Sequence, residues 1–337
     1  MERADPHGER HGGRPLMVAV RALGLGDLLT AVPALRALAD AYPDHRRVLA
    51  APAELEPLAR LSGALDAVAP TAPLAPLAPE LEGADVAVNL HGRGPDSHRV
   101  LLAARPRRLV AFAHADVEQT ADAPRWREQE HEVARWCRLL EESGIPADAS
   151  RLDLAAPAER PPEGAVGATV VHPGSAFAAR RWPADRWAAV ARHEARGGRR
   201  VVITGSRREA GLARHVARLA GLPASSVLAG ATDLTGLAAV VAGAGRVVCC
   251  DTGVAHLATA LRTPSVILFG PDSPARWGPP RDRPWHRALW AGRRGDPRAC
   301  EPDPGLLLLQ VADVLGALEG LPAADRPPRP LRAAARP

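Results

Sequence analysis

Lysine is absent from this chain of 337 residues, so all 43 of its basic residues are arginine. Mechanisms that require a lysine nucleophile or a lysine Schiff base are therefore excluded. The 38 acidic residues leave a formal net charge of only +5, which is too small and too dispersed to indicate nucleic-acid binding. Hydrophobic residues make up 46% of the chain and charged residues 24%, a composition typical of an ordered globular protein.

Cysteines and long apolar runs are also scarce. The four cysteines have no metal-binding or redox spacing, and the adjacent pair Cys249 and Cys250 lies in an apolar run typical of a buried strand. No stretch approaches the ~20 apolar residues that a membrane span needs, and the N-terminal segment lacks a signal-peptide pattern. We therefore expect a cytoplasmic protein, and contact with the inner face of the membrane stays open.

The length and the order of apolar runs predict two domains, since a domain usually has roughly 100–200 residues. Two series of short apolar runs alternate with helical patterns, and a segment rich in Pro, Ala and Gly separates the series. Strands that alternate with helices predict parallel sheets covered on both faces. The predicted strands are 16–23, 48–51, 85–90 and 108–113 in the first series, and 168–172, 200–204, 246–250 and 265–269 in the second.

These patterns predict an α/β protein with two Rossmann-like domains that face a central cleft. The ligands of such sheets bind at the carboxyl ends of the strands. The predicted organisation is a disordered leader at 1–15, a first domain at 16–155, a linker at 156–167, a second domain at 168–321 and a disordered tail at 322–337.

The first predicted strand is followed by a glycine-rich loop with the sequence Gly24-Leu25-Gly26-Asp27. Leu29 stands where the dinucleotide-binding fingerprint requires its third glycine, so the loop does not indicate a dinucleotide site. Asp27 begins the following helix, and an aspartate there is often no more than an N-cap. From the residues alone, Asp27 can be either a cap or a functional carboxylate.

A second loop, His172-Pro173-Gly174-Ser175, is followed closely by two adjacent arginines, Arg180 and Arg181. Gly174 permits close approach of a ligand, the Ser175 hydroxyl can donate a hydrogen bond, and guanidinium groups can bind phosphate oxygens in a bidentate manner. The alternative is that both arginines are solvated charges ahead of a helix.

The clearest signal is the apolar run that leads directly into Asp251-Thr252-Gly253 and a following helix that contains His256. A strand, a polar turn and a helix in this order direct free backbone N–H groups and the positive end of the helix dipole toward a phosphate. The alternative is a helix cap, with His256 hydrogen-bonded inside the fold. A fourth loop, at 270–274, indicates only turn chemistry.

Several motifs are missing. The chain has no D-x-D pair to hold a divalent metal on a nucleotide diphosphate, no G-x-S-x-G nucleophile elbow and no GxxxxGK[ST] phosphate loop, and its histidines lack zinc spacing. A bound diphosphate would therefore have to be neutralised by arginines and helix ends.

The order of three motif pairs resembles glycosyltransferase family 9, the heptosyltransferases of bacterial lipopolysaccharide synthesis and their relatives. The pairs are GLGD with LLTAVPAL, HPGS with RRWP, and DLTGL with CDTGVAHLA, and the resemblance runs from about Val18 to about Leu318. It implies the GT-B architecture and an inverting glycosyltransferase that uses no metal or other cofactor. The implied partners are a nucleotide sugar, with ADP-heptose favoured, and a glycan or glycolipid acceptor, without nucleic acid.

The resemblance also implies roles for individual residues. Asp27 matches the general base that accepts a proton from the acceptor hydroxyl. Arg180 stands where the family often has lysine, and Glu209 matches a position that contacts the ribose. The implied donor-binding residues are Ser175, Arg180, Glu209, Asp251, Thr252, Gly253 and His256, and the implied loop glycines are Gly24, Gly26 and Gly174.

Three other functions fit parts of the pattern. A nucleotide-sugar 2-epimerase shares the fold, but the pairing of GLGD with DTGVAH argues against it. A Rossmann oxidoreductase would need the complete GxGxxG motif. A non-catalytic nucleotide-sugar-binding protein would not need Asp27 beside a donor site. The sequence carries no signal for the identity of the acceptor or for the oligomeric state.

Overall fold

The computed structural model describes residues 13–322, so residues 1–12 of the expected leader and 323–337 of the expected tail lie outside the described residues. The chain forms two compact units. The first unit contains Ala31–Glu128 and Val133–Arg151 together with the residues up to Gly24. The second contains Leu25–Thr30, Gln129–Glu132 and the residues from Leu152 onward. The expected domains were contiguous, whereas the second unit takes two short segments from the first half of the chain.

The first unit is built on a parallel five-stranded sheet with the order β3-β2-β1-β4-β5. Its strands are nearly continuous apolar runs because both faces of a parallel sheet are covered. All five residues of the first strand, for example, are buried. The elements of this half of the chain are β1 (Leu16–Val20), α1 (Leu25–Ala41), β2 (Arg46–Ala51), α2 (Glu56–Arg60), β3 (Ala67–Pro70), β4 (Val86–Asn89), α3 (Asp96–Ala103), β5 (Arg108–Val110) and α4 (Glu132–Glu142).

The second unit has its own parallel five-stranded sheet with the order β10-β9-β8-β6-β7. Its core includes the edge-on pair Trp182 and Trp187, whose ring centroids lie 5.1 Å apart. The elements are β6 (Thr169–His172), α5 (Ala184–Arg196), β7 (Val201–Ile203), α6 (Ala210–Ala220), α7 (Leu234–Gly243), β8 (Arg246–Cys250), α8 (Gly253–Ala260), β9 (Ser265–Phe269), α9 (Pro274–Trp277), β10 (His286–Trp290), α10 (Pro304–Leu308) and α11 (Val311–Glu319).

Each sheet has one point where the strand order changes direction. In the first sheet β1 lies between β2 and β4, and in the second sheet β6 lies between β7 and β8. Ligands of open α/β sheets bind outside the carboxyl ends of the strands at such a point. The expected α/β fold with two parallel-sheet units is therefore confirmed. In the second unit, this rule predicts a ligand site at the loops after β6 and β8.

Some element boundaries differ from the expectation. The predicted strand at 108–113 ends at Val110. The apolar pattern at 306–321 predicts one helix, whereas the structure has two there, α10 and α11. The break occurs because the Asp313 carboxylate accepts a hydrogen bond from the Gln310 N–H (2.7 Å) and starts a new helix there. A proline inside a helix is expected to distort it, yet α1 is continuous through Pro33. Burial of its neighbours compensates for one missing hydrogen bond.

Candidate functional site

The loops after β6, β8 and β9 start from one edge of the second sheet. His172, the last residue of β6, lies beside Cys249 of β8, and the Asp251 N–H donates to the Leu268 carbonyl of β9 (3.0 Å). Ser175 and Asp251, both expected to bind a donor, therefore follow neighbouring strands. Each is buried. The structure thus brings together two loops that are 76 residues apart in the sequence (251 − 175).

The turn between β8 and α8 has an open anion-binding geometry. Thr252 occupies the N-cap position with extended backbone angles (φ −146°, ψ 174°), but its side chain makes no capping hydrogen bond. Its Oγ1 atom is buried and has no hydrogen-bond partner among the described residues. The first N–H groups of a helix also lack intrahelical partners. A buried hydroxyl without a partner is costly, and an anionic ligand at this helix end would accept from it.

Arg180 lies against two buried carboxylates. Its Nη2 donates to Oδ2 of Asp272 (2.9 Å), and its Nη1 lies 3.9 Å from Oδ2 of Asp251. Burial raises the pKa of Asp251 to about 7, the nearby Arg180 cation opposes this rise, and the Asp272 charge adds to it. Asp251 therefore changes its charge in the physiological range.

Asp272 belongs to the candidate site, although the loop at 270–274 indicates only turn chemistry in the sequence. A polar residue just beyond a fully buried strand was the available signal, as it was for Asp251. The other oxygen of Asp272, Oδ1, lies 3.5 Å from Nη1 of Arg276 on α9. Asp272 thus connects two arginines at the end of β9.

The two adjacent arginines face different partners. Arg181 donates from Nε to the Ser175 carbonyl (2.9 Å) and from Nη2 to the Ala176 carbonyl (3.4 Å). Arg180 instead reaches the carboxylates described above. Arg181 therefore fixes the loop after β6, and Arg180 is the arginine that lies beside the turn before α8.

Glu209 connects the loops after β6 and β7. Its Oε2 accepts from the N–H and the hydroxyl of Ser206, both at 2.7 Å. A Cβ atom on Gly174 would lie 2.2 Å from Oε1, so a larger residue there would force the Glu209 carboxylate to move. Burial favours a higher pKa for Glu209, but the Ser206 hydrogen bonds and the nearby His172 and Arg181 outweigh it and leave the pKa lowered. Glu209 thus presents a carboxylate beside the expected donor loop.

The first turn of α1 belongs to the second unit and brings Asp27 to the same region. Because α1 begins at Leu25, Asp27 is the third residue of the helix and not its N-cap. A Cβ atom on Gly26 would lie 2.8 Å from Cδ2 of His256, and one on Gly253 would lie 2.9 Å from Cβ of Leu25. Leu25 and Gly26 are therefore in direct contact with α8.

His256, which was expected to bind the donor, has a packing partner. Its ring lies edge-on to Trp277, with the centroids 5.9 Å apart, and it also covers Gly26. These contacts hold the imidazole beside the first turn of α1. Gly24, the remaining glycine of the expected set, is exposed and directly precedes α1.

The first unit has a polar network at the carboxyl end of β4, which sequence analysis also missed. Asn89 accepts from the His91 N–H (2.9 Å) and donates to Ser97 Oγ (2.9 Å) and His98 Nδ1 (2.7 Å). The opposite His98 nitrogen, Nε2, donates to the Phe112 carbonyl (2.7 Å), and burial lowers the pKa of His98. A neutral histidine therefore fixes the loop that begins at His91.

Metal-binding and membrane-spanning features are absent from the described residues. No group of three His, Cys, Asp or Glu side chains within 13–322 could hold a metal ion. No helix in that range is long and apolar enough to cross a membrane. Cys249 and Cys250 are buried strand thiols, as expected, and burial raises the pKa of Cys250 to about 12.

Comparison with known proteins agrees with the motif pattern. Residues 103–293 match glycosyltransferase family 9 (heptosyltransferase), which is more than half of the chain. The chain belongs to glycosyltransferase family 9. The resemblance derived from GLGD, HPGS and DTGVAH is therefore confirmed.

Family 9 relatives with curated descriptions match a shorter part of the chain. Lipopolysaccharide heptosyltransferase 1 of Pseudomonas aeruginosa is 38% identical over 106 residues, which is 31% of this chain and 29% of that protein. Lipopolysaccharide heptosyltransferase 2 of Escherichia coli K12 is 34% identical over 108 residues, 30% of each chain. The matches thus span about a third of either protein.

Solved structures match over almost the whole chain. A family 9 glycosyltransferase from Veillonella parvula has a TM-score of 0.73 at 19% identity and covers 90% of this chain and 96% of its own. ADP-heptose lipopolysaccharide heptosyltransferase II of E. coli has a TM-score of 0.69 at 21% identity, with 90% and 97% covered. At these identities the likeness shows the fold alone, and the fold is that of the heptosyltransferases.

Proposed function

We propose that this family 9 protein transfers a heptose from ADP-heptose to a hydroxyl group of a cell-envelope glycan or glycolipid. The observation that carries the proposal is the turn before α8, where Thr252 leaves a buried hydroxyl without a partner among the described residues. E. coli heptosyltransferase WaaC, a structural relative with a TM-score of 0.68, has been solved with ADP-2-deoxy-2-fluoro heptose. A nucleoside diphosphate sugar is the ligand that fits such a turn.

The diphosphate would be held by groups at the carboxyl edge of the second sheet. Backbone N–H groups at the start of α8 and the Thr252 hydroxyl donate to its oxygens, and the helix dipole favours its charge. The Arg180 side chain, 27% exposed, supplies a positive charge beside Asp251, the residue that precedes this turn. Glu209, in the short helical turn that follows β7, is suited to accept hydrogen bonds from the ribose hydroxyls. Together they bind the part of the donor that leaves.

The reaction would be a single displacement with inversion at the anomeric carbon. Asp27 accepts the proton of the acceptor hydroxyl while its oxygen attacks, which contributes roughly 10²–10⁴-fold to the rate. Negative charge develops on the departing diphosphate, and Arg180 and the start of α8 stabilise it. Contact between Gly26 and His256 supports this role, because it holds the turn that carries Asp27 against α8.

We further propose that no divalent metal is needed, because an arginine and a helix end supply the positive charge. The test is transfer from ADP-heptose in EDTA, followed by mass spectrometry, with the anomeric configuration of the product determined by NMR. Full activity and an inverted product are expected. Activity that is lost in EDTA and restored by Mg²⁺ or Mn²⁺ would contradict metal independence.

The variant Asp27→Asn tests the base. Since Asp27 lies inside the first turn of α1, asparagine keeps the shape of the side chain and removes the proton acceptor. Single-turnover transfer should fall by two or more powers of ten, roughly the full contribution of a general base, with ADP affinity unchanged. The matched control is Asp233→Asn, which caps α7 through the Gly236 N–H (2.8 Å) and should be silent. If Asp27→Asn transfers the sugar at the wild-type rate, Asp27 is not the general base. If the wild-type protein binds ADP but transfers no sugar, it is a non-catalytic binding protein.

A further inference from the structure

Two buried carboxylates compete for one arginine at the candidate donor site. The Asp272 oxygen lies 2.9 Å from Arg180, within hydrogen-bond distance, whereas the Asp251 oxygen lies 3.9 Å away. The Asp251 side chain is only 6% exposed, so water does little to stabilise its charge. A buried carboxylate is costly unless it is paired and hydrogen-bonded, and here the better pairing belongs to its neighbour.

The charged groups around Asp251 are few. Arg180 faces it from the turn after β6, and Asp272 faces it from the end of β9. Arg276 on α9 approaches the far oxygen of Asp272 and does not take Asp251 as its partner (Nη1 to Oδ1, 3.5 Å). On β8 itself the preceding Cys250 is a neutral thiol, because burial raises its pKa to about 12. Removal of the Asp272 charge would therefore free Arg180 for Asp251.

Asp251 directly precedes Thr252, so a diphosphate at the start of α8 would add negative charge beside a carboxylate whose nearby cation, Arg180, is hydrogen-bonded to Asp272 instead. We propose that Asp251 binds the donor as a neutral carboxylic acid, and that Asp272 is the positioning residue responsible, because it draws the Arg180 guanidinium to itself. The proposal rests on the proposed function, in which this turn holds the diphosphate. The proton comes from solvent and stays on the Asp251 carboxyl group, which then donates a hydrogen bond to the ligand.

The first test counts protons in the full-length wild-type protein. ADP is titrated calorimetrically at pH 8.0 in buffers with different heats of ionisation. At this pH the terminal phosphate of ADP is already ionised, since its pKa is about 6. Asp251, with a pKa of about 7, is mostly ionised before binding, so uptake close to one proton per ADP is expected. Binding without proton uptake would overturn the inference alone, whereas absence of ADP binding would overturn the proposed function and the inference with it.

The second test measures ADP affinity against pH. Because the protonated form of Asp251 binds, wild-type affinity should fall about tenfold per pH unit above pH 7, where the ADP phosphates stay ionised. Asp251→Asn should take up no proton, keep its affinity at high pH, and bind ADP more tightly than the wild type at pH 9. In Asp272→Asn the decline should begin at a lower pH, because Arg180 then stabilises ionised Asp251.

The matched control is Asp303→Asn. Asp303 is equally buried and caps α10 through the Leu306 N–H (3.0 Å), a role that asparagine fills as well. Its profile should follow that of the wild type. If the ADP affinity of Asp272→Asn begins to fall at the same pH as that of the wild type, Asp272 does not position Arg180 in this way. Proton counting on the wild type tests the proposal even where a variant fails to fold.

Discussion

Gly174→Ala tests the contact between the loop after β6 and the Glu209 carboxylate. The added Cβ atom would lie 2.2 Å from Oε1, 2.3 Å from Cδ and 2.8 Å from Oε2 of Glu209, well inside van der Waals contact. The backbone of Gly174 is not left-handed, so alanine brings no conformational strain there. The end of the glutamate side chain can turn away, and the cost is then the loss of its two hydrogen bonds with Ser206.

The size of the effect follows from those two bonds. Both are 2.7 Å long and cap the short helical turn that begins at Ser206. A capping interaction contributes about 0.5–2 kcal/mol, and Ser206 is exposed, so we expect a total loss of about 2 kcal/mol. For a unit of this size that corresponds to a fall of roughly 4–8 °C in Tm. ADP affinity should fall as well, since the displaced carboxylate no longer faces the ribose.

Thermal unfolding and ADP calorimetry test whether the effect of Gly174→Ala acts through Glu209. The four proteins to compare are the wild type, Gly174→Ala, Glu209→Ala and the double variant. Truncation of Glu209 removes the three atoms nearest to the added Cβ atom, so the double variant should resemble Glu209→Ala alone. Gly164→Ala is the matched control, because its Cβ atom would have no neighbour within 4 Å. Additive losses in the double variant, or a Gly174→Ala variant as stable as this control, would refute the reasoning.

Three further predictions use the same unit. Arg180→Ala should weaken ADP binding by about 2–5 kcal/mol. Arg181→Ala should weaken it less, because the Arg181 guanidinium is bound to carbonyl groups of its own loop. Equal losses of ADP affinity in calorimetry would contradict this prediction. Gly253→Ala should destabilise the protein by about 1–3 kcal/mol, because the added Cβ atom clashes with the first turn of α1. Gly211→Ala has open space around it and should stabilise α6 by up to about 1 kcal/mol. Denaturant unfolding of both variants measures the sign and size of each change. Burial lowers the pKa of His286 to about 3, so below pH 6.5 the unfolded chain binds a proton at His286 and the folded chain does not. The free energy of unfolding of the wild type should therefore fall by about 2 kcal/mol between pH 8 and pH 5 relative to that of His286→Gln. Parallel pH profiles for the two proteins would contradict this prediction.

The regular elements of both sheets could be read from the sequence where their residues are buried. The runs at 246–250 and 265–269 were predicted with the bounds that the structure shows, because continuous apolar residues fit a strand covered on both faces. The strands β3 and β10 were missed. Pro70 ends β3, and β10 lies at the edge of its sheet with Arg287 exposed, so neither has the pattern of a buried strand.

Motif order also determined the family and most of the expected donor site. Glycine and a polar residue directly after an apolar strand indicate a ligand-binding turn, and this local rule pointed to Gly174, Ser175 and the Asp251–Gly253 turn. Whether Asp27 caps α1 could not be decided in this way, because the cap depends on where the helix begins. The structure begins it two residues earlier, at Leu25.

Only the tertiary structure decided which charges face each other. Arg180 and Asp272 are 92 residues apart, and no local pattern relates them. They meet because β8 lies between β6 and β9, so the turns after the outer two strands approach the end of the central one. The same placement brings Arg180 close to both Asp251 and Asp272, and buries Asp251 beside an arginine that is hydrogen-bonded to Asp272. Arg181 binds carbonyl groups of its own loop instead. Burial and partner distance set the ionisation of a carboxyl group, and both arise only when distant parts of the chain pack together.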